Sequence, residues 1–483
     1  MANPSLATLS LGARRSVLAY MSVTILVVAL MMLLGLALRL SQAQVIALSP
    51  ALFYQVMTAH GIGMVGIAGL GGAAIMWYFL NQYVKLSIGI FLANLLLFLL
   101  GVVLILGAIF LGGFAAAWTF LFPLPAKPMG VWSHAAAASY LIGVLVIGVG
   151  FLLLYLDVAR AILVKYGSLA RALGWPQLFG QDDGNAPPPT VVASTVVAVI
   201  NILSIGVGAV ILTICLVNLY VPEFAVDALL AKNLIFFFGH VFINAAIYMT
   251  VIAVYEILPR YADRPWKSNR VFLAAWTATL VMVLIVYPHH LLMDFAMPTW
   301  ALLVGQIISY TSGLPVLAVT TIGTLALVHR SGLRWDLPSG LLFLSVFGWG
   351  AGILPAIIDG TIVVNHVMHN TLWVPGHFHF YLLLGLGAML FGFGYYLAKT
   401  DGRLKGNAVD ALSFWTFAIA GLGFVGMFLL SGRHSIPRRW AVHMPEWVPY
   451  DRIASAFAAL VVAAVLVFLV RFLSRLRPMA AAA

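Results

Sequence analysis

The chain has 483 residues, of which 63% are hydrophobic and only 8% charged, and its mean hydropathy is +1.07. A water-soluble globule needs a solvated, charged surface that this composition cannot supply, so the sequence predicts a protein of the lipid bilayer. The formal net charge of +11 would suit a nucleic-acid binder, but the basic residues sit in short loops between apolar runs rather than in patches interleaved with aromatics, and no nucleic-acid partner is expected.

A spanning helix needs roughly 20 apolar residues. Runs of that size recur near 17–40, 50–80, 86–113, 132–158, 190–219, 229–258, 271–293, 300–329, 338–364, 371–398, 411–431 and 453–475. They predict an all-α membrane protein of about twelve transmembrane helices, organised as a single domain over 1–483. Arg14 and Arg15 precede the first run and no small-residue cleavage pattern follows it, so it reads as a retained helix, not a signal peptide. The breaks carry turn or stop chemistry: Pro123 and Pro125, the polar stretch from Gln181 to Pro189, then Pro259, Pro265, Pro298 and Pro338. The longest connection, about 159–189, is where a short amphipathic or irregular segment would lie on the surface. Cys215, the single cysteine, lies inside the fifth run; it excludes a disulfide framework and a cysteine-based metal site within the chain.

Counting loops alternately places most basic residues on one side, among them Lys85, Arg171, Arg264, Arg330, Arg403, Lys405 and Arg477. The positive-inside rule makes that side cytoplasmic, with both termini there. The loop after the eleventh run is an exception, with Arg433, Arg438, Arg439 and Arg452. Either the alternation fails there, or Arg438 and Arg439 are held by something anionic.

Histidines inside membrane helices are costly unless partnered. His60 lies in the second run, in Thr58-Ala59-His60-Gly61-Ile62-Gly63, where glycines would let a flat macrocycle approach the backbone. Alone it reads equally as an interhelical hydrogen-bonder or a ligand. His240 follows Gly239 in the sixth run, and His289 and His290 are adjacent in the seventh. The tenth run opens Val374-Pro375-Gly376-His377-Phe378-His379. Two residues on a helix differ by about 200° of rotation, so His377 and His379 leave from nearly opposite sides and suit two cofactors flanking one helix. A pair of hemes does this. The inventory then divides into His60 with His379 for a six-coordinate low-spin heme, His377 for a five-coordinate high-spin heme, and His240, His289 and His290 for a three-imidazole site. Three neutral imidazoles suit copper or zinc, and copper is the choice where electrons move.

These residues resemble the catalytic subunit, subunit I, of heme-copper oxidases. The likeness rests on the helix count, the histidine order, and two strings: Val367-Met368-His369-Asn370-Thr371-Leu372-Trp373 running into the tenth-run motif, and Ile436-Pro437-Arg438-Arg439. Both strings are most similar to the B branch of the superfamily. The resemblance implies the same ligand sets, with Arg438 and Arg439 clamping heme propionates and His369 and Asn370 beside the propionates of the high-spin heme. It also implies a bacterial or archaeal cell membrane.

The sequence departs from that pattern where the chemistry is decided. In B-branch oxygen reductases a tyrosine cross-linked to the first copper ligand lies four residues after it; here that position is Asn244. Positions i and i+4 share a helix face, so Asn244 should face the site and offer a hydrogen bond but no oxidisable phenol. Cleaving O–O in one step takes four electrons, one of them from that tyrosine, whereas coupling two NO molecules to N2O takes two, which iron and copper can supply. Val251 stands where another tyrosine is expected, although Tyr255 remains. Val316 and Val319 fall about where a serine and a threonine of the oxygen-reductase proton path would be, and Asn365 replaces a carboxylate expected near a propionate.

Tyr287, three residues before His290, is the candidate for a displaced phenol; Tyr248 lies roughly 12 Å from His240 by helical rise. Iron-based NO reductases use glutamate ligands, and no glutamate lies within a turn of these histidines, so copper is kept. Three functions are held against one another: an NO reductase, a proton-pumping terminal oxidase of the cytochrome c oxidase type using Tyr287, and a heme-free transporter. A reduced-minus-oxidised spectrum separates the last. Electrons must enter through a second membrane-anchored subunit with a copper or heme domain, fed by a cytochrome c, a cupredoxin or a quinol, because this chain has no cysteine pair for a dinuclear copper and no c-type heme attachment motif.

Overall fold

A computed structural model describes residues 9–181, 186–399 and 407–476. Arg403, Lys405 and Arg477, counted above with the basic loops, lie outside the described residues. Within them, twelve helices are long and apolar enough to cross a bilayer. They are α1 (Leu11–Gln42), α2 (Pro50–Leu80), α3 (Ile88–Leu111), α4 (His134–Tyr166), α5 (Pro189–Tyr220), α6 (Ala228–Ala262), α7 (Arg270–Leu291), α8 (Thr299–Val328), α9 (Leu337–Asp359), α10 (Trp373–Ala398), α11 (Ala408–Arg433) and α12 (Val448–Leu473). Eight of the twelve begin where a side chain can satisfy the free N–H groups of a first turn: Ser10, Ser49, Ser87, Ser133, Asp227 and Asn269 each accept from a backbone N–H three residues on. Asp336 and Asn407 form full capping boxes. The long connection after α4 holds two short helices, Leu169–Ala172 and Trp175–Leu178, before residue 182, with Ala172, Leu173 and Gln177 buried.

Consecutive helices pack side by side, α1 also packs on α12 so that the bundle closes, and α2 packs on α6 across it. The most hydrophobic window of α6 and that of α10 are each 94% buried and that of α2 78%, against 22–50% for the other nine. A buried helix face can carry a partnered histidine more cheaply than a lipid-facing one, and the three screened helices carry four: α2 has His60, α6 His240, and α10 His377 and His379, while His289 and His290 come from the end of the less buried α7. Close approach relies on small residues, as is usual between membrane helices. A Cβ on Gly101 of α3 would stand 2.5 Å from the Gly143 carbonyl of α4, and one on Gly348 of α9 would stand 2.5 Å from the Leu384 backbone of α10. At that second contact α10 is wound as a wide π-helix over Phe380–Gly387, immediately after its two histidines.

Candidate metal centre

The three-imidazole cluster forms because α7 changes its winding. Its regular part ends at Ile285, and a tight 3₁₀ turn runs from Tyr287 to Leu291. Pro288 has no N–H to continue the α-helical ladder. Glycine at Gly305 of α8 lets this turn sit close, since a Cβ there would meet the His289 nitrogen at 3.1 Å. The result brings His289 and His290 against His240, with one ring nitrogen from each within 4.8 Å of the others. No other group of three or more His, Cys, Asp or Glu with metal-site spacing occurs among the described residues. His240 Nδ1 and His290 Nε2 are 3.0 Å apart; two nitrogens bonded to one tetrahedral ion at about 2.0 Å lie roughly 3.3 Å apart. Phe236 stacks on His290 with ring centroids 5.1 Å apart, and His289 Nδ1 is buried with no partner in the chain. Three nitrogen donors with this spacing fit a copper ion.

His60 and His379 face each other nearly parallel, with centroids 6.4 Å apart and 14° between ring planes. Two imidazoles on opposite sides of one metal, each bonded at about 2.0 Å, have centroids roughly 6 Å apart, so the gap fits an iron between them. Hydrogen bonds choose the atoms. His60 Nδ1 lies 2.7 Å from the Met31 carbonyl and His379 Nδ1 2.7 Å from the Pro375 carbonyl. A carbonyl only accepts, so each Nδ1 carries the proton and each Nε2 keeps its lone pair for a metal. Gly35 of α1 makes this possible, because a Cβ there would stand 2.8 Å from His60 Cε1.

His377, two residues before His379 on α10, lines one cavity with His290 of the three-imidazole cluster, and its Nδ1 is buried without a partner in the chain. A cavity of about 630 Å³ is lined by His60, His377, His379 and His290, and also by His369, Asn370, Arg438 and Arg439. Its apolar walls and few converging polar groups suit a large flat cofactor. The two diagnostic strings meet here: Leu372 N–H donates to the Ile436 carbonyl and Arg438 N–H to the Asn370 carbonyl, each at 2.9 Å. Arg439 is held at φ 66°, the left-handed region that disfavours a side chain and clusters at binding sites. Burial, and after it the neighbouring Arg439 charge, push the Arg438 guanidinium down to about 10, with Asp359 acting the other way. It therefore stays cationic at neutral pH, ready for an anionic group.

Other expectations are changed. The glycines near the histidines do not all open space for a macrocycle: a Cβ on Gly61 or Gly239 would meet the Trp118 ring, at 2.9 and 3.2 Å, and one on Gly63 would meet Met31. Asn244 shares the His240 face, but its Nδ2 donates to the His240 carbonyl at 3.0 Å. The Tyr287 hydroxyl donates to Asn233 Oδ1 at 3.1 Å, about two turns from His240 along α6. On α8 a hydroxyl stands beside these valines: that of Thr320, next to Val319, pairs with Tyr255 at 2.6 Å. A carboxylate also stands near His369 despite Asn365. Asp359 Oδ2 is 3.6 Å from His369 Nδ1, and Asn365 Nδ2 donates to the Asp359 backbone at 2.6 Å. Asp359 and Gly35 were not singled out from sequence. A carboxylate at the end of an apolar run was the only signal for the first, and nothing local marks the second.

The family description "Cytochrome C and Quinol oxidase polypeptide I" matches residues 15–464. Cytochrome c oxidase subunit 1 of Thermus thermophilus is 28% identical over 273 residues, covering 51% of this chain and 48% of that protein. Cytochrome c oxidase polypeptide 1 of Halobacterium salinarum is 24% identical over 441 residues, covering 87% and 70%. The match thus spans about half the length of the Thermus relative. Among solved structures, a chain described as part of a heme-copper terminal oxidase dimer superposes with a TM-score of 0.78 at 19% identity, covering 98% of this chain and 85% of that one; it shares the fold.

Proposed function

The chain belongs to the cytochrome c and quinol oxidase polypeptide I family, and from that premise we propose that it is the catalytic subunit of a respiratory reductase that converts two NO molecules, two electrons and two protons to N2O and water. His60 and His379 would hold a low-spin heme through their Nε2 atoms, His377 a high-spin heme, and His240, His289 and His290 a copper ion. When bound, these metals supply the electrons and the open coordination positions where NO is reduced.

The remaining work falls to this chain's own groups. The Met31 and Pro375 carbonyls hold the His60 and His379 tautomers. Arg438 and Arg439 offer two guanidinium forks to the propionates, and His369 and Asn370 polar contacts beside them. Asn244 carries the choice of substrate. Its amide, tied to the His240 carbonyl, steadies the turn that presents the ligand and has no electron to give, while the hydroxyl of Tyr287 is engaged by Asn233. Two-electron NO coupling needs no protein phenol.

The second reading is a terminal oxidase reducing O2 to water with proton translocation. It is favoured by the names of the curated relatives and by the buried Tyr255–Thr320 hydroxyl pair. Under either reading electrons arrive through a second membrane-anchored subunit fed by a cytochrome c, a cupredoxin or a quinol, with the termini of this chain on the cytoplasmic side of a cell membrane. The purified complex, given a reduced donor, is presented with NO and with O2 in separate electrode chambers. N2O formation with slow O2 uptake is expected, and Tyr287→Phe should leave it intact. Fast O2 consumption with negligible NO turnover overturns the NO assignment.

A further inference from the structure

Outside the histidine clusters, a buried polar group joins α1 to α12. Arg39, in the last turn of α1, donates through one terminal nitrogen to Gln42 Oε1 and through the other to Asp451 Oδ1, each at 2.5 Å. His443, in the loop before α12, holds the second Asp451 oxygen at 2.6 Å. Arg39, Asp451 and His443 are 4%, 0% and 2% exposed, so one fully buried carboxylate answers two donors. Arg39 Nε is also buried and has no partner in the chain.

The placement of this group matters more than its existence. Arg39 and Gln42 line the 630 Å³ cavity together with Arg438 and Arg439. The Arg39 guanidinium lies over the Phe428 ring at 5.0 Å, and Phe428 in turn stacks on His379 at 5.0 Å and 23°. The ion pair is therefore one aromatic ring away from an imidazole of the parallel pair, in a low-dielectric interior where charges act at such range. A buried ion pair contributes little net stability compared with apolar packing of the same volume, so joining two helices is a weak reason for it.

We propose that Asp451 is a potential-setting residue: with His443 it holds the Arg39 guanidinium at the low-spin heme site and neutralises it, and so sets how readily that site takes an electron. The proposal rests on His60 and His379 as the ligands of that heme. Asp451→Asn keeps the shape but leaves the Arg39 charge uncompensated, which favours the reduced site and raises its midpoint potential. Arg39→Met leaves the carboxylate unanswered by a cation and lowers it. The double variant removes both charges and returns toward the parent value.

Anaerobic spectroelectrochemical titration of the low-spin band in the purified complex measures this directly. The two single variants should shift electron affinity tenfold or more in opposite directions, 59 mV for each factor of ten in a one-electron couple, and the double variant should lie within about twofold of the parent. A structural link would loosen alike in both single variants, so shifts of one sign, or none, in folded single variants overturn the proposal. Where an unpaired buried charge prevents folding, His443→Phe keeps the ion pair and strips one donor from the carboxylate; it should lower the midpoint, and an unchanged or raised value counts against the idea. A parent complex without a bis-imidazole low-spin spectrum would instead remove the ligand assignment itself.

Discussion

A histidine inside a membrane is costly to desolvate unless its ring nitrogens find partners. At His60 and His379 Nδ1 donates to a carbonyl at 2.7 Å, which leaves Nε2 with its lone pair. At His289 and His377 the buried Nδ1 atoms have no partner in the chain. The three-imidazole cluster has the least redundancy, because its members come from only two segments, α6 and the 3₁₀ turn after Pro288. His289→Ala should therefore lower copper content by roughly ten- to a hundredfold while leaving both hemes in place, because the proposed heme ligands sit on α2 and α10. Copper-to-iron ratios by elemental analysis beside a pyridine hemochrome spectrum check this; full copper occupancy in the variant would remove His289 from the ligand set. Which histidines lie in the spans was legible from sequence. The nitrogen each would offer was not, since that depends on carbonyls such as that of Met31, on another helix.

At the scale of elements, hydropathy located every span, with all ends within five residues except the start of α1 and the end of α4, which runs on to Tyr166: 229–258 against Ala228–Ala262, for example, and 86–113 against Ile88–Leu111. The first helix starts earlier than its apolar run, at Leu11 rather than near 17, because Ser10 caps it and basic side chains such as Arg15 can ride at the membrane edge with their heads in the polar layer. Hydropathy was silent on winding: the 3₁₀ turn of α7 and the π-helical stretch of α10 look like any other apolar run. It was equally silent on contact between helices. The mutual approach of Gly101 and Gly143 brings α3 and α4 together with no room for a side chain, so Gly101→Leu should destabilise the protein by about 1–3 kcal/mol through overpacking. A lowered midpoint of SDS-induced unfolding, with unchanged heme spectra before the transition, is the expected result; an unchanged midpoint would mean that the contact is not close in the folded protein.

At the scale of the molecule, α1 packs against α12 and α2 against α6, and the cavity draws its walls from both ends of the chain, from Met32 to Val462. We propose that the chain is therefore one domain and unfolds as one unit. Heme absorbance and tryptophan fluorescence should report coincident transitions, and a separated early phase that keeps both heme signals would indicate an independent part. The sequence by itself determined the class of protein, the twelve spans and which histidines lie in them. In a bilayer each backbone group must be satisfied within its own helix, so the spans are local properties readable from local hydropathy. Tertiary structure alone decided the pairings: Tyr255 with Thr320, Asp359 beside His369, Gly35 under His60, and Arg39 with Asp451, 412 residues apart. Each depends on the rotation of one helix against another, where a single residue turns a side chain by about 100°.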